Sequence, residues 1–151
     1  MSSRYIYVTY IRTTPQKLWD ALTRPEFIRQ YWFDMTQESE WKPGAAWAMK
    51  FSDGRVADAG EVLESDPPRR LVLKWRNEFR PELKAEGFSR CVYDLAQDGD
   101  VVRLTVTHSI EKDGAKLIEA VSGGWPKILS SLKSFLEGGA PLPRTHNTPA
   151  T

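Results

Sequence analysis

The sequence has one cysteine, Cys91, and two histidines, His108 and His146, in 151 residues. A single thiol excludes an internal disulfide and fits a reducing compartment. With His146 in the terminal segment and no second cysteine at ligand spacing, there is no framework for a transition metal, and none is expected. Charge of one sign is also lacking. The 21 Lys and Arg against 20 Asp and Glu leave +1, which gives no electrostatic reason to expect nucleic acid or an anionic membrane as partner. No apolar run approaches the ~20 residues of a membrane span. Met-Ser-Ser-Arg leads straight into a strand-like run with no apolar signal core, so the cytoplasm is the expected location. A Gly-Xaa-Ser-Xaa-Gly elbow, a phosphate loop and a dinucleotide fingerprint are all missing, and no cofactor is expected. What the chain does have is six tryptophans within an apolar content of 40%. That much aromatic surface must be buried in a core or line a cavity.

One stretch organises the rest, Ala115 to Gly139. Leu117, Val121, Trp125, Ile128, Leu132 and Phe135 recur at steps of three or four and so share a helix stripe. Ile118, Leu129 and Leu136 widen it, so this helix must lie on a broad apolar surface. Gly123-Gly124-Trp125-Pro126 is no phosphate cradle, because Pro126 has no N–H to offer. It predicts a kink or restart of the helix.

The segments before that helix supply the surface. Tyr5 to Arg12 is β-branched and aromatic and reads as a strand. Thr13 to Gln16 has capping-box spacing, and Leu18, Trp19 and Leu22 give a first short helix. Thr23, Pro25 and Glu26 open a second, carrying Phe27, Ile28, Tyr31 and Trp32. From Trp41 to His108 the chain reads as a strand meander. Trp47, Met49 and Phe51 alternate up to an Asp53-Gly54 turn, Val56 to Glu64 returns, and Leu71, Leu73 and Trp75 follow. Residues 77–87 lack a period and are expected to be an exposed, mobile loop. Phe88 to Leu95 and Val101 to His108 make the last hairpin. Residues 1–138 are expected to be one domain, and 139–151, rich in Gly, Pro and Thr, a disordered tail.

This order of elements resembles the α+β helix-grip fold of the START and Bet v 1-like superfamily (SRPBCC). Within it, the chain is similar to the family related to the C-terminal domain of the heat-shock-protein ATPase activator. The matching stretches are TTPQKLWDALTRPEFIRQYW, GEVLESDPPRRLVLKW, SRCVYDLAQDGDVVRLTVTHS and GGWPKILSSLKSFLEGG. The resemblance implies a curved antiparallel sheet of about six strands wrapped around the long C-terminal helix, with two short helices after strand 1. It also implies a cavity between sheet and helix for an apolar or aromatic ligand, and a homodimer. Functions in the superfamily run from lipid carriers and polyketide cyclases to stress proteins and co-chaperones, so fold transfers and activity does not. The eukaryotic activators carry an additional N-terminal domain for which this chain is expected to have no room. A chaperone partner therefore draws no support from the sequence.

Trp19, Trp32, Trp47, Phe51, Trp75, Cys91, Tyr93, His108, Trp125 and Leu129 are the expected cavity lining, since a strongly curved sheet under one helix is hard to fill. His108 is the one catalytic candidate, because an imidazole facing an apolar chamber can act as general acid or base. A hydrogen-bonded histidine at a strand end is the plainer account. Nothing in the sequence near Cys91 would lower its pKa, so it reads as a small buried hydrophobe. Glu61, Arg76 and Arg90 could anchor a ligand at the rim, but exposed strand charges explain them as well. The reading is a binding protein for an apolar or aromatic small molecule without catalysis. A cyclase-, aromatase- or hydrolase-like enzyme using His108 and a co-chaperone-like module are the alternatives.

Overall fold

The computed structural model describes residues 2–143. Strand β1 (Ser3–Ile11) is followed by α1 (Pro15–Thr23) and α2 (Pro25–Tyr31). Then come β2 (Thr36–Ser39), β3 (Ala46–Lys50), β4 (Val56–Asp66) and β5 (Arg70–Asn77). A single turn of helix, α3 (Pro81–Lys84), precedes β6 (Ser89–Asp98), β7 (Val101–Ile110) and the long α4 (Lys116–Gly138). All seven strands form one antiparallel sheet in the order β1-β7-β6-β5-β4-β3-β2. The expected curved sheet under a long helix is there, with one strand more than the six read from the sequence. The additional strand is β2, whose polar Thr-Gln-Glu-Ser run has no strand pattern. It pairs with Lys50 to Trp47 as an edge strand, and buried Gln37 accepts the Trp47 indole N–H at 2.9 Å.

Local chemistry sets the helix boundaries. Thr14, rather than Thr13, is the N-cap of α1, its hydroxyl accepting the Lys17 N–H at 3.2 Å, and Pro15 and Pro25 occupy the first turns of α1 and α2. Helix α4 has no capping side chain of its own at Ala115. Glu86, sent over from beyond α3, accepts the N–H groups of Lys116 and Leu117, each at 2.8 Å. A carboxylate at that end also complements the helix dipole. At the other end Gly139 takes the left-handed conformation (φ 79°) and closes onto Phe135. Pro126 lies inside one continuous helix, so the expected restart does not occur. Residues 77–87 also differ from the exposed loop that was expected. Asn77 and Leu83 are buried, and Asn77 Oδ1 accepts the N–H groups of Phe79 and Arg80. One turn of helix is too short to show a period, which is why the sequence conceals it.

At Gly60 the β4 and β5 backbones come unusually close. Trp47 and Trp75 are its cross-strand neighbours on the concave face, and their rings meet at 4.6 Å. A Cβ built on Gly60 would stand 1.7 Å from the Lys74 carbonyl oxygen, so no other residue fits this close approach. Of the expected tail, Ala140 and Leu142 are held against α4 by hydrogen bonds to Ser134 and Ser131. Residues 144–151 lie outside the described residues.

Candidate ligand-binding site

An aromatic seam runs between the concave face and α4. The Trp125 ring stands 5.6 Å from Trp32, 5.9 Å from both Trp75 and Tyr93, and 6.1 Å from His108. Most of these contacts are edge-on or tilted, the arrangement aromatic quadrupoles favour. His108 sits fully buried in this seam. The Trp125 indole N–H donates to His108 Nδ1 at 3.2 Å, and since an indole can only donate, Nδ1 carries no proton. Nε2 is then the protonated nitrogen and donates to Ser89 Oγ at 2.8 Å; Ser89 in turn donates to the Trp75 carbonyl at 2.9 Å. Burial lowers the His108 pKa to about 3, so the ring stays neutral. The relay ties α4 to β7, β6 and β5 and leaves neither ring nitrogen free for other chemistry.

Next to the seam the packing opens into a pocket lined by Trp32, Asp58, Trp75, Asn77, Leu83, Leu117, Ala120, Val121, Gly124, Trp125 and Ile128. Its floor is β4 and β5, α3 forms a wall, and the first half of α4 is the roof. The half-buried Ala120 and Val121 mark its mouth. It holds about 380 Å³ with the mouth included, of which about 20 Å³ admits the centre of a water-sized sphere.

Asp58 is the polar group of this pocket that sequence reasoning missed. It is 1% exposed, and neither carboxylate oxygen has a hydrogen-bond partner among the described residues. Burial pushes its pKa up to about 7, and the nearby Glu78 carboxylate adds to the rise. The Trp75 indole favours the charged form, but it makes no hydrogen bond of normal length and angle to Asp58. The Trp32 indole N–H is likewise buried without a partner. A signal for Asp58 was present in the sequence. It precedes Gly60 and Val62 by two and four residues, which puts it on the same strand face as buried Val62. Pairing with Met49 and Asn77 keeps it on the concave side, and a bulge beside it turns Val56 outwards.

Of the expected lining residues, the pocket brings together Trp32, Trp75 and Trp125. Trp19, Trp47, Cys91, Tyr93, His108 and Leu129 are buried in the surrounding core, where burial raises the Cys91 thiol pKa. Phe51 is half-buried against Phe79, at 5.0 Å, and lines a separate open groove with Pro25, Arg29 and Lys50. Glu61, Arg76 and Arg90 belong to the outer face, where Lys74 pairs with Glu61 at 3.9 Å and Arg76 with Glu78. Among the described residues no three His, Cys, Asp or Glu side chains cluster as a metal site would require. No described helix is long and apolar enough to cross a membrane.

Comparison with solved structures places this architecture among known ones. CalU16 from Micromonospora echinospora is 22% identical, with 89% of this chain and 76% of that one covered at a TM-score of 0.72. The Aha1 dimer from Colwellia psychrerythraea is 18% identical, covering 91% and 98% at 0.72. PFC0360w, an HSP90 activator from Plasmodium falciparum, is 18% identical, covering 88% and 95% at 0.71. These likenesses carry the fold alone. Comparison with curated proteins gives no match. The family described as Activator of Hsp90 ATPase homolog 1-like protein matches residues 12–137, nearly the whole described fold. The chain therefore belongs to that family, within the SRPBCC helix-grip proteins.

Proposed function

We propose that the chain binds a small apolar or aromatic molecule in the pocket between sheet and α4, and does not transform it. The observation that carries this reading is the convergence of three indoles and a partnerless carboxylate on one recess. A mostly apolar pocket with a few unsatisfied polar groups is the usual pattern of a small-molecule site. A cyclase-, aromatase- or hydrolase-like reaction through His108 would need an imidazole that titrates near neutrality and reaches the ligand. His108 has both nitrogens engaged and a pKa near 3, which argues against that alternative. We assign the protein to the cytoplasm, on its single thiol.

Activation of an Hsp90-type ATPase is the second reading, supported by the family description and by the HSP90 activator among the structural neighbours. Homodimerisation is proposed with either reading. The dimeric Colwellia neighbour supports it, and exposed Ile6, Val8 and Tyr10 on the edge strand β1 offer an apolar surface. Native mass spectra of the purified protein, with n-hexanol titrations followed at the indole N–H resonances, test the binding reading. A retained small molecule, or shifts at Trp32, Trp75 and Trp125 with Trp41 unmoved, is the expected result. Unmoved indoles and no retained molecule would overturn it, and stimulation of an Hsp90-type ATPase would then favour the second reading.

A further inference from the structure

Asp58 distinguishes this pocket from an ordinary gap in a core. Uncompensated burial of a carboxylate is among the most costly arrangements in a protein interior. Several other buried acceptors are matched, although the Thr36 hydroxyl is not. Gln37 takes the Trp47 indole N–H, Asn77 takes two backbone N–H groups, and His108 takes the Trp125 indole N–H. Asp58, the one buried carboxylate among the described residues, has no donor on either oxygen, and the residue lines a recess walled by indoles. Indole faces attract cations, and the attraction grows when water is excluded. The Glu78 carboxylate acts on Asp58 in the same sense, although Arg76 and Lys84 pair with it.

Size narrows the class further. The space open to the centre of a water-sized sphere is about 20 Å³, a small recess. A recess this small favours a compact headgroup over a bulky one such as a trimethylated nitrogen. We propose that Asp58, walled by Trp32, Trp75 and Trp125, anchors a primary ammonium group of the ligand, whose apolar tail leaves past Ala120 and Val121. The inference rests on the ligand-binding reading above. It adds the headgroup: three N–H donors for two unpaired oxygens, and a positive charge for a negative site. The Trp32 indole N–H of the same recess is free to donate to an oxygen elsewhere on the ligand.

The test is a titration at pH 8 with three probes of equal length: n-hexylamine, n-hexanol and n-hexanoate. Binding is read from the indole N–H resonances, in the native chain and in Asp58→Asn. Hydrogen bonds to charged groups are worth enough that hexylamine should bind roughly ten- to a hundredfold tighter than hexanol. Hexanoate should bind weakest, and Asp58→Asn should erase the preference for the amine while keeping the hexanol shifts. Equal binding of amine and alcohol to the native chain, or a preference for hexanoate, would overturn the ammonium assignment and leave the apolar pocket standing. The same holds if Asp58→Asn folds and still prefers the amine. Binding of none of the three would overturn the pocket reading itself. If Asp58→Asn does not fold, the ranking of the probes on the native chain decides alone.

Discussion

The indole N–H of Trp125 donates to Nδ1 of His108 across 3.2 Å, and this bond joins the long helix to β7, the neighbour of edge strand β1. It fixes the tautomer of a fully buried imidazole and starts the relay through Ser89 to the Trp75 carbonyl. Trp125 is also 2% exposed and packed against four other rings, so it is core as much as pocket wall. Trp125→Ala should cost about 3–5 kcal/mol, the range for emptying a core of a large aromatic. Trp125→Phe keeps a ring but strands the Nδ1 acceptor, at about 1–3 kcal/mol. Urea melts of the two variants give both numbers. A Trp125→Phe protein as stable as the native one would mean that the hydrogen bond contributes nothing.

Glu86 reaches from the far side of α3 to cap α4, so the two helices should loosen together. Glu86→Ala removes both acceptors and a favourable charge at a helix N-terminus, for a loss of about 1–2 kcal/mol. Hydrogen exchange should show residues 116–118 and 81–87 losing protection while 101–108 keep theirs. Unchanged exchange at Lys116 and Leu117 would remove Glu86 from the role of cap. Leu83, Leu117 and Val121 all line the pocket, so this capped corner is part of its wall.

Gly60→Ala tests the close approach of β4 to β5. The added methyl would overlap the Lys74 carbonyl, which is backbone and cannot swing aside. Relief requires β4 and β5 to part beneath the Trp47–Trp75 contact, so the cost should be about 3 kcal/mol or more. A melt within 1 kcal/mol of native would show that the strands flex there with ease.

The fold was legible because its elements carry strong periods. The stripe of α4 is long enough to name the helix within a residue at either end, and the alternation in β5 and β7 exposes their inner faces. What stayed hidden depends on contacts distant in sequence. Edge strand β2 is polar and four residues long, and α3 is a single turn. Glu86 caps a helix thirty residues later in the chain, and no local pattern announces that. The site was legible only in its tryptophans. Attention to aromatics favoured the whole concave face, yet most of those rings fill space against each other. An acidic residue in phase with Val62 was the better pointer, since a charge on an inward strand face is rare without a task.

Asp58 and His108 should make stability depend on pH in opposite directions, so that each masks the other. Folded Asp58 holds its proton up to about pH 7 against an ordinary value of 3.8. Between those limits the folded chain binds the extra proton, and stability falls by about 1.4 kcal/mol per pH unit as pH rises. Folded His108 stays neutral down to about pH 3 against an ordinary 6.5. There the unfolded chain binds the extra proton, and stability rises by about the same amount per unit. From about pH 4 to 6.5 the two slopes cancel, and from 6.5 to 7 that of Asp58 acts alone. Asp58→Asn should therefore gain stability relative to the native chain as pH increases from 4 to 7, reaching roughly 4 kcal/mol at pH 8. His108→Gln should do the reverse, its stability relative to native falling across pH 4 to 6.5. Urea melts at pH 4.5, 5.5, 6.5 and 8 measure these differences, with groups common to both chains dropping out. A constant difference between Asp58→Asn and native at all four pH values would mean that Asp58 titrates in the fold as it does in water. The carboxylate would then have to be hydrated or paired, and the case for it as a ligand anchor would fall with its isolation.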